Sequence, residues 1–210
     1  MEPVEAGATD DERERALVAR LARRDRRALH SLYELHGARV QRLCRRLLGR
    51  AADAEDAAQD VFLKLFERAE RFDGRARFTT WLHRFTVNLC LHRRERERLR
   101  AAASLPRDGD ELHGADEPPE EALARTETRA GLERLLARLS DEHRTIVVLR
   151  ELEVLSYREI GEVLELPQGT VMSRLARARE QLLRLAQRSP LADVADARDE
   201  PRPTPLTRRP

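Results

Sequence analysis

The stretch SYREIGEVLELPQGTVMSRL, residues 156–175, decides how the C-terminal half of this chain folds. Ser156 followed three residues later by Glu159 makes a capping box, in which hydroxyl and carboxylate each satisfy a backbone N–H at a helix start. Ile160, Val163 and Leu164 give that helix one buried face, and Gly161 supplies the small residue that two tightly crossed helices need. Pro167 cannot continue the helix, and Gln168-Gly169-Thr170 opens another. The spacing predicts helix, short turn, helix, the geometry that sends a second helix into the DNA major groove. The second helix continues as TVMSRLARAREQLLRLAQR, with Val171, Leu175, Leu182 and Leu185 turned inward. From Thr170 to Arg188 five arginines face one glutamate, a local net charge of +4. Arginine pairs bidentately with guanine or clamps phosphates, and Ser or Thr donates to phosphate. Arginines alone would describe a solvated helix face; the capping box, small residue and turn proline beside them favour DNA binding.

Working outward, residues 122–188 form one helical block and residues 13–100 another. In the first half Leu17, Leu21, Leu29, Leu32, Tyr33, Val40, Leu43 and Leu47 recur at spacings of three and four, and Gly49 is a helix stop. A next helix carries Ala54, Ala58, Val61, Phe62, Leu65 and Phe66 on one face, and Asp53 can cap it. Asp-Gly within residues 72–77 marks a loop, after which Phe78, Trp81, Leu82, Phe85 and Leu89 line another helix. That helix ends in a run of Arg93, Arg94, Arg96, Arg98 and Arg100, expected to serve phosphates. Residues 101–121 hold three prolines, two glycines and many acids, the composition of a flexible acidic linker. Residues 1–12 and the proline-rich tail 189–210 are expected to be disordered. No strand-like alternation of useful length is present. The fold class is all-α: two small helical domains joined by a flexible linker.

Charged residues make up 37% and aromatic ones 4%, which favours small helical units over a large sheet-built core. A net charge of only +2 means that any polyanion must be held by local patches. Lys64 is the only lysine, so 39 of the 40 basic residues are arginine; a G+C-rich coding sequence accounts for much of that. Cys44 and Cys90 are widely separated and read as reduced core residues, with no disulfide framework. The acidic N-terminus lacks the apolar segment of a signal peptide, and no apolar run is long enough for a membrane helix. The expected location is the cytoplasm, without membrane insertion. No phosphate-cradling glycine loop or catalytic triad points to an enzyme, and His83, Cys90 and His92 are spread around a helix rather than gathered on a metal. Neither catalytic residue, metal nor cofactor is expected.

LSYREIGEVLELPQGTVMSRLARAR resembles region 4 of a bacterial RNA polymerase sigma factor of the extracytoplasmic function (ECF) group. AEDAAQDVFLKLFERAERFDGRARFTTWLHRFTVNLCLHRRER resembles region 2 of the same group, in the right order. The resemblance implies that Asp56, Gln59, Asp60 and Phe62 dock on the core polymerase. It implies capture of the unwound −10 element by Asp73, Gly74, Arg75, Arg77, Arg84 and Asn88. It assigns reading of the duplex −35 element to Gln168, Thr170, Ser173, Arg174 and Arg177. Core RNA polymerase, promoter DNA and a restraining anti-sigma factor are the implied partners. Met172 stands where the family commonly has Lys or Arg, His92 where an acid is common, and Val154 in place of a frequent glycine. A polymerase-independent helix-turn-helix regulator is the alternative, but it leaves residues 53–98 without a role.

Overall fold

The computed structural model describes residues 9–103 and 131–188, and every regular element among them is helical. Helix α1 (Asp10–Ala22) starts earlier than the expected boundary at residue 13. The cause is a second capping box: Thr9 N donates to Glu12 at 2.7 Å and Glu12 N to the Thr9 hydroxyl at 3.3 Å. The disorder expected for residues 1–12 therefore fails for 9–12, while 1–8 lie outside the described residues. The expected continuity of helix also breaks, at Arg23–Asp25. Arg24 takes a positive φ of 67°, and Asp25 caps α2 (Arg26–Leu48) by accepting from Arg27 N at 2.8 Å. Gly49, at φ 88°, ends α2 as expected.

Helix α3 (Ala51–Arg68) begins two residues before Asp53, which consequently does not cap it. Asp53 sits in the first turn instead, 3.3 Å from Arg50, where it still opposes the helix dipole. A 3₁₀ turn (Ala69–Arg71) and the loop 72–77 lead into α4 (Phe78–Ala103). Within this N-terminal bundle α2 packs against α1, α3 and α4. The seam is closed by Leu21, Leu32, Leu43, Val61, Leu65 and Phe78, all essentially without solvent contact. Each such side chain contributes about 1.5–3 kcal/mol by leaving water. Cys44 and Cys90 meet across the α2–α4 seam with sulfurs 3.7 Å apart, both buried and both free thiols. Residues 104–130, with most of the expected linker, and the tail from 189 lie outside the described residues.

The C-terminal unit opens on helical residues 131–137 (α5), followed by α6 (Asp141–Val147) capped by Ser140. Helix α6 widens into a π turn (Val148–Leu152), closed by a bond from Glu153 N to Val148 O at 3.0 Å. Val154 then takes a positive φ of 58°. Helices α7 (Tyr157–Leu164) and α8 (Gln168–Gln187) complete the unit around Leu136, Ile146, Leu149, Ile160 and Leu175.

The two units pack directly, α7 on α4 and α6 on α2. At the centre of that seam is Glu153, only 7% exposed. Arg39 Nε donates to it at 2.8 Å and Arg46 Nη1 at 2.9 Å, with His83 Nε2 at 3.4 Å. Burial would push the Glu153 carboxyl up, but the hydrogen bonds from His83 and Arg39 outweigh it, and its pKa lies below the ordinary value. Nearby, buried Arg144 joins two helix ends. It donates to Leu136 O and Ala137 O of α5 at 2.7 Å each, and across the seam to Leu47 O of α2 at 3.0 Å. A cation there satisfies carbonyls that a helix C-terminus leaves unpaired. Burial, with repulsion from Arg94 added, pushes the Arg144 pKa down to about 10, so the side chain remains cationic at neutral pH.

Candidate polymerase and nucleic-acid interface

The helix-turn-helix forms as its sequence demands. Ser156 N donates to Glu159 at 2.8 Å and Glu159 N returns to the Ser156 hydroxyl at 3.2 Å. Helix α7 stops at Glu165, whose positive φ of 56° turns the chain, and Pro167 stands immediately before α8. Gly161 lies at the expected helix crossing, with Val171 Cγ2 of α8 4.0 Å from where a Cβ would sit, and has a second role in the turn. A Cβ there would lie 2.8 Å from the Leu166 carbonyl oxygen, so glycine lets the turn fold back onto α7. Val171, Leu175 and Ala178 are buried and hold α8 against the unit, with Leu182 and Leu185 half-buried behind them.

Of the −35 candidates, Gln168, Ser173 and Arg177 are exposed on α8, whereas Thr170 and Arg174 are half-buried. Arg174 is drawn 3.3 Å from Glu142, and the Ser173 hydroxyl donates back to Thr170 O at 3.1 Å. Arg177 is thus the least encumbered cation of the group. Met172 is 52% exposed on the same helix, an apolar element in an otherwise polar face.

In the N-terminal bundle the aromatic side chains form a ladder. Trp81 meets the edge of Phe72 at a centroid distance of 5.6 Å and stacks on Phe85 at 5.6 Å, with Phe78 at 6.1 Å. Phe78 is fully buried, while Trp81 and Phe85 are half-buried. One side of the ladder is core; the other borders a groove of about 890 Å³ whose lining is cationic on balance, Lys64, Arg68, Arg71, Arg84, Arg93 and Arg96 outnumbering Asp60, Asp73 and Glu95. Arg84 and Asn88, the −10 candidates on α4, are exposed along it. The loop presents Asp73, Arg75 and Arg77 to solvent, with Asp73 accepting from Arg75 N at 3.1 Å and Gly74 at φ 73°. An aromatic face beside cationic side chains matches what unstacked, anionic single strands require.

The arginine run at the end of α4 divides its duties, against the expectation that it serves phosphates as a whole. Arg94 and Arg98 reach α6, at 2.6 Å and 2.8 Å from Asp141. Arg93 pairs with Asp60 and with the Asp53 carbonyl. Arg96 also lines the groove and, among the described residues, has no carboxylate partner, so periodic sequence position says little about which arginines stay available.

On α3, Asp56 and Gln59 are exposed and Asp60 is half-buried. Phe62 is different: 5% exposed, its ring meets Tyr33 edge-on at 5.0 Å. It supports a surface and does not form one. The apolar atoms facing solvent there belong to Leu63 (60% exposed), one turn beyond Gln59, and to Tyr33 (54%). By spacing Tyr33 belongs to the apolar stripe of α2, and Leu63 falls off the apolar face of α3; their exposure, which the sequence does not show, sets both apart. His83, Cys90 and His92 point three ways, toward Glu153, Cys44 and the groove.

Residues 32–100 match the sigma-70 region 2 family and residues 129–182 the sigma-70 region 4 family. The ECF RNA polymerase sigma factor SigE of Mycolicibacterium smegmatis is 41% identical over 75% of this chain, which spans 62% of that protein. The ECF RNA polymerase sigma factor SigW of Bacillus subtilis is 30% identical over 79% of this chain and 92% of its own length. Among solved structures, CnrH in complex with the cytosolic domain of CnrY shares the fold, with a TM-score of 0.59 and 26% identity over 89% of this chain and 99% of that one. With both regions present in order, the chain belongs to the sigma-70 family, among the ECF RNA polymerase sigma factors, which are promoter-specificity proteins and not enzymes.

Proposed function

We propose that this chain binds core RNA polymerase in the cytoplasm, recognises the −35 and −10 elements of a promoter and helps to melt the DNA for initiation. The observation that carries the reading is the pairing, in one chain, of a capped helix-turn-helix with exposed Arg177 and a cationic groove beside the Trp81 ladder. Duplex and single strand each have a matching surface. Residues 13–100 serve as the polymerase- and −10-binding domain, residues 101–121 as the tether and residues 122–188 as the −35-binding domain. Docking uses Asp56, Gln59 and Asp60, with Phe62 acting through Tyr33 and Leu63 beside them. The −10 strand meets Asp73, Gly74, Arg75, Arg77, Arg84 and Asn88; the −35 duplex meets Gln168, Thr170, Ser173, Arg174 and Arg177. An anti-sigma factor restrains the free protein, a reading supported by the solved complex of the sigma factor RpoE with the anti-sigma factor NepR from Bartonella quintana, whose fold this chain resembles.

The test is transcription in vitro with bacterial core polymerase on pooled genomic fragments, followed by sequencing of transcript starts. Discrete new starts sharing two upstream elements are expected, and an Asp60→Arg variant that still folds should lose them. If no starts appear while the protein alone protects a duplex site, the reading gives way to a polymerase-independent regulator.

A further inference from the structure

Three acids of the helix-turn-helix recur every third residue, Glu159, Glu162 and Glu165, and so share one side of α7 and its turn. That side is turned toward the N-terminal bundle. Arg84 donates from Nη2 to Glu165. Glu162 and Glu165 line a crevice of about 460 Å³ whose opposite wall is Asp73, Arg75, Trp81 and Arg84. The Glu159 carboxyl is held below its ordinary pKa by the Ser156 hydroxyl and backbone, with Arg77 adding to the effect. Glu165 therefore pairs directly with Arg84, and Glu162, which also lies 3.7 Å from Arg158 of its own helix, faces Arg75 and Arg84 across the crevice, with Arg77 close enough to act on Glu159. The α8 residues Gln168, Ser173 and Arg177 point elsewhere and stay exposed.

We propose that in the free chain α7 occupies the −10 surface as a stand-in for DNA, its carboxylates held where phosphates would bind, so that a single strand must displace the helix-turn-helix. This rests on the reading of loop 73–77 and α4 as the −10 surface. Guanidinium groups form the same charge-assisted bonds with carboxylate and with phosphate, which makes the two true competitors. The buried contacts of Glu153 and Arg144 across the seam hold the competitor in place. Because α8 remains uncovered, duplex −35 DNA can be engaged while the −10 surface is still shut. The free chain is thereby kept from non-specific single strands, and its apparent affinity for them is lowered by the fraction of molecules that are closed.

Trp81 is the only tryptophan and lines the crevice, so its emission reports on the closure directly. The full chain would be titrated with a degenerate single-stranded DNA oligonucleotide, comparing wild type with Glu162→Gln/Glu165→Gln and, separately, Arg39→Gln. Arg39 lies outside the DNA surfaces and holds Glu153 from the α2 side. Both variants should bind the single strand about tenfold more tightly, with red-shifted Trp81 emission before DNA is added. Arg39→Gln is decisive, since removing a positive charge would otherwise weaken binding to DNA. Unchanged affinity and emission in both variants, or tighter binding by the glutamine pair with weaker binding by Arg39→Gln, overturns the proposal. Promoter-specific starts with core polymerase, scored on the wild type, separate this outcome from failure of the sigma-factor reading itself.

Discussion

Replacing Glu153 by Gln keeps the shape of the side chain and removes only its charge. Three donors then face a neutral amide across the seam: Arg39, Arg46 and His83. Breaking a buried pair costs about 3–5 kcal/mol when the remaining charge stays buried. Here the arginine side chains retain 37% and 27% of their exposure, so both can rehydrate, and the amide oxygen keeps one acceptor. The expected loss is accordingly about 2 kcal/mol. For a chain of this length that corresponds to a fall in melting temperature of about 4–8 °C if unfolding is cooperative. Thermal and urea unfolding would be followed in parallel by far-UV circular dichroism and by Trp81 emission. The wild type should give coincident curves; in the variant the C-terminal unit should unfold ahead of the Trp81 signal. A Glu153→Gln protein that melts within about 1 °C of wild type, with curves still coincident, would refute the assignment of Glu153 as the seam's main electrostatic contact.

Acid should act on the same carboxylate. Its pKa is lowered in the folded protein, so its contribution is complete above the ordinary value of 4.5 and is lost as pH falls through the lower, folded value. Small-angle scattering through that range should show the wild type expanding, with this step absent in Glu153→Gln. Gly161→Ala should destabilise the C-terminal unit by about 1–3 kcal/mol in urea unfolding, because the clash with Leu166 O outweighs the better helix propensity of Ala. Arg177→Ala should weaken binding of the polymerase-bound protein to the −35 duplex and reduce the slope of log affinity against log salt by about 1 if the contact is to phosphate.

Much of the fold is legible in the sequence where the determining chemistry is local. Ser156 and Glu159 announce the start of α7, and Pro167 the gap before α8, because a cap or a missing N–H acts within a few residues. The same kind of signal at Thr9 and Asp25 is masked by the charged residues around it, which is why α1 begins early and the break before α2 is easily missed. Side-chain partners that meet across the fold are harder to see. Glu153 sits in RELEVLS like any surface acid, and only tertiary placement gives it two arginines and a histidine. Arg94 and Arg98 are likewise indistinguishable from Arg96 until α6 brings Asp141 alongside. Phe62 shows the limit for periodicity: an aromatic beside acids on a helix can be the support for a contact made by its neighbours, here Tyr33 and Leu63.

The paired thiols of Cys44 and Cys90 provide a chemical clock for the N-terminal bundle. The hydrogen bond with Cys44 and burial push the Cys90 thiol well above its ordinary pKa, which suppresses the thiolate that alkylating agents need. In the closed bundle the pair should therefore resist iodoacetamide. Any excursion that parts α2 from α4 would expose both sulfurs together, and the rate of double alkylation at saturating reagent would count those excursions one by one.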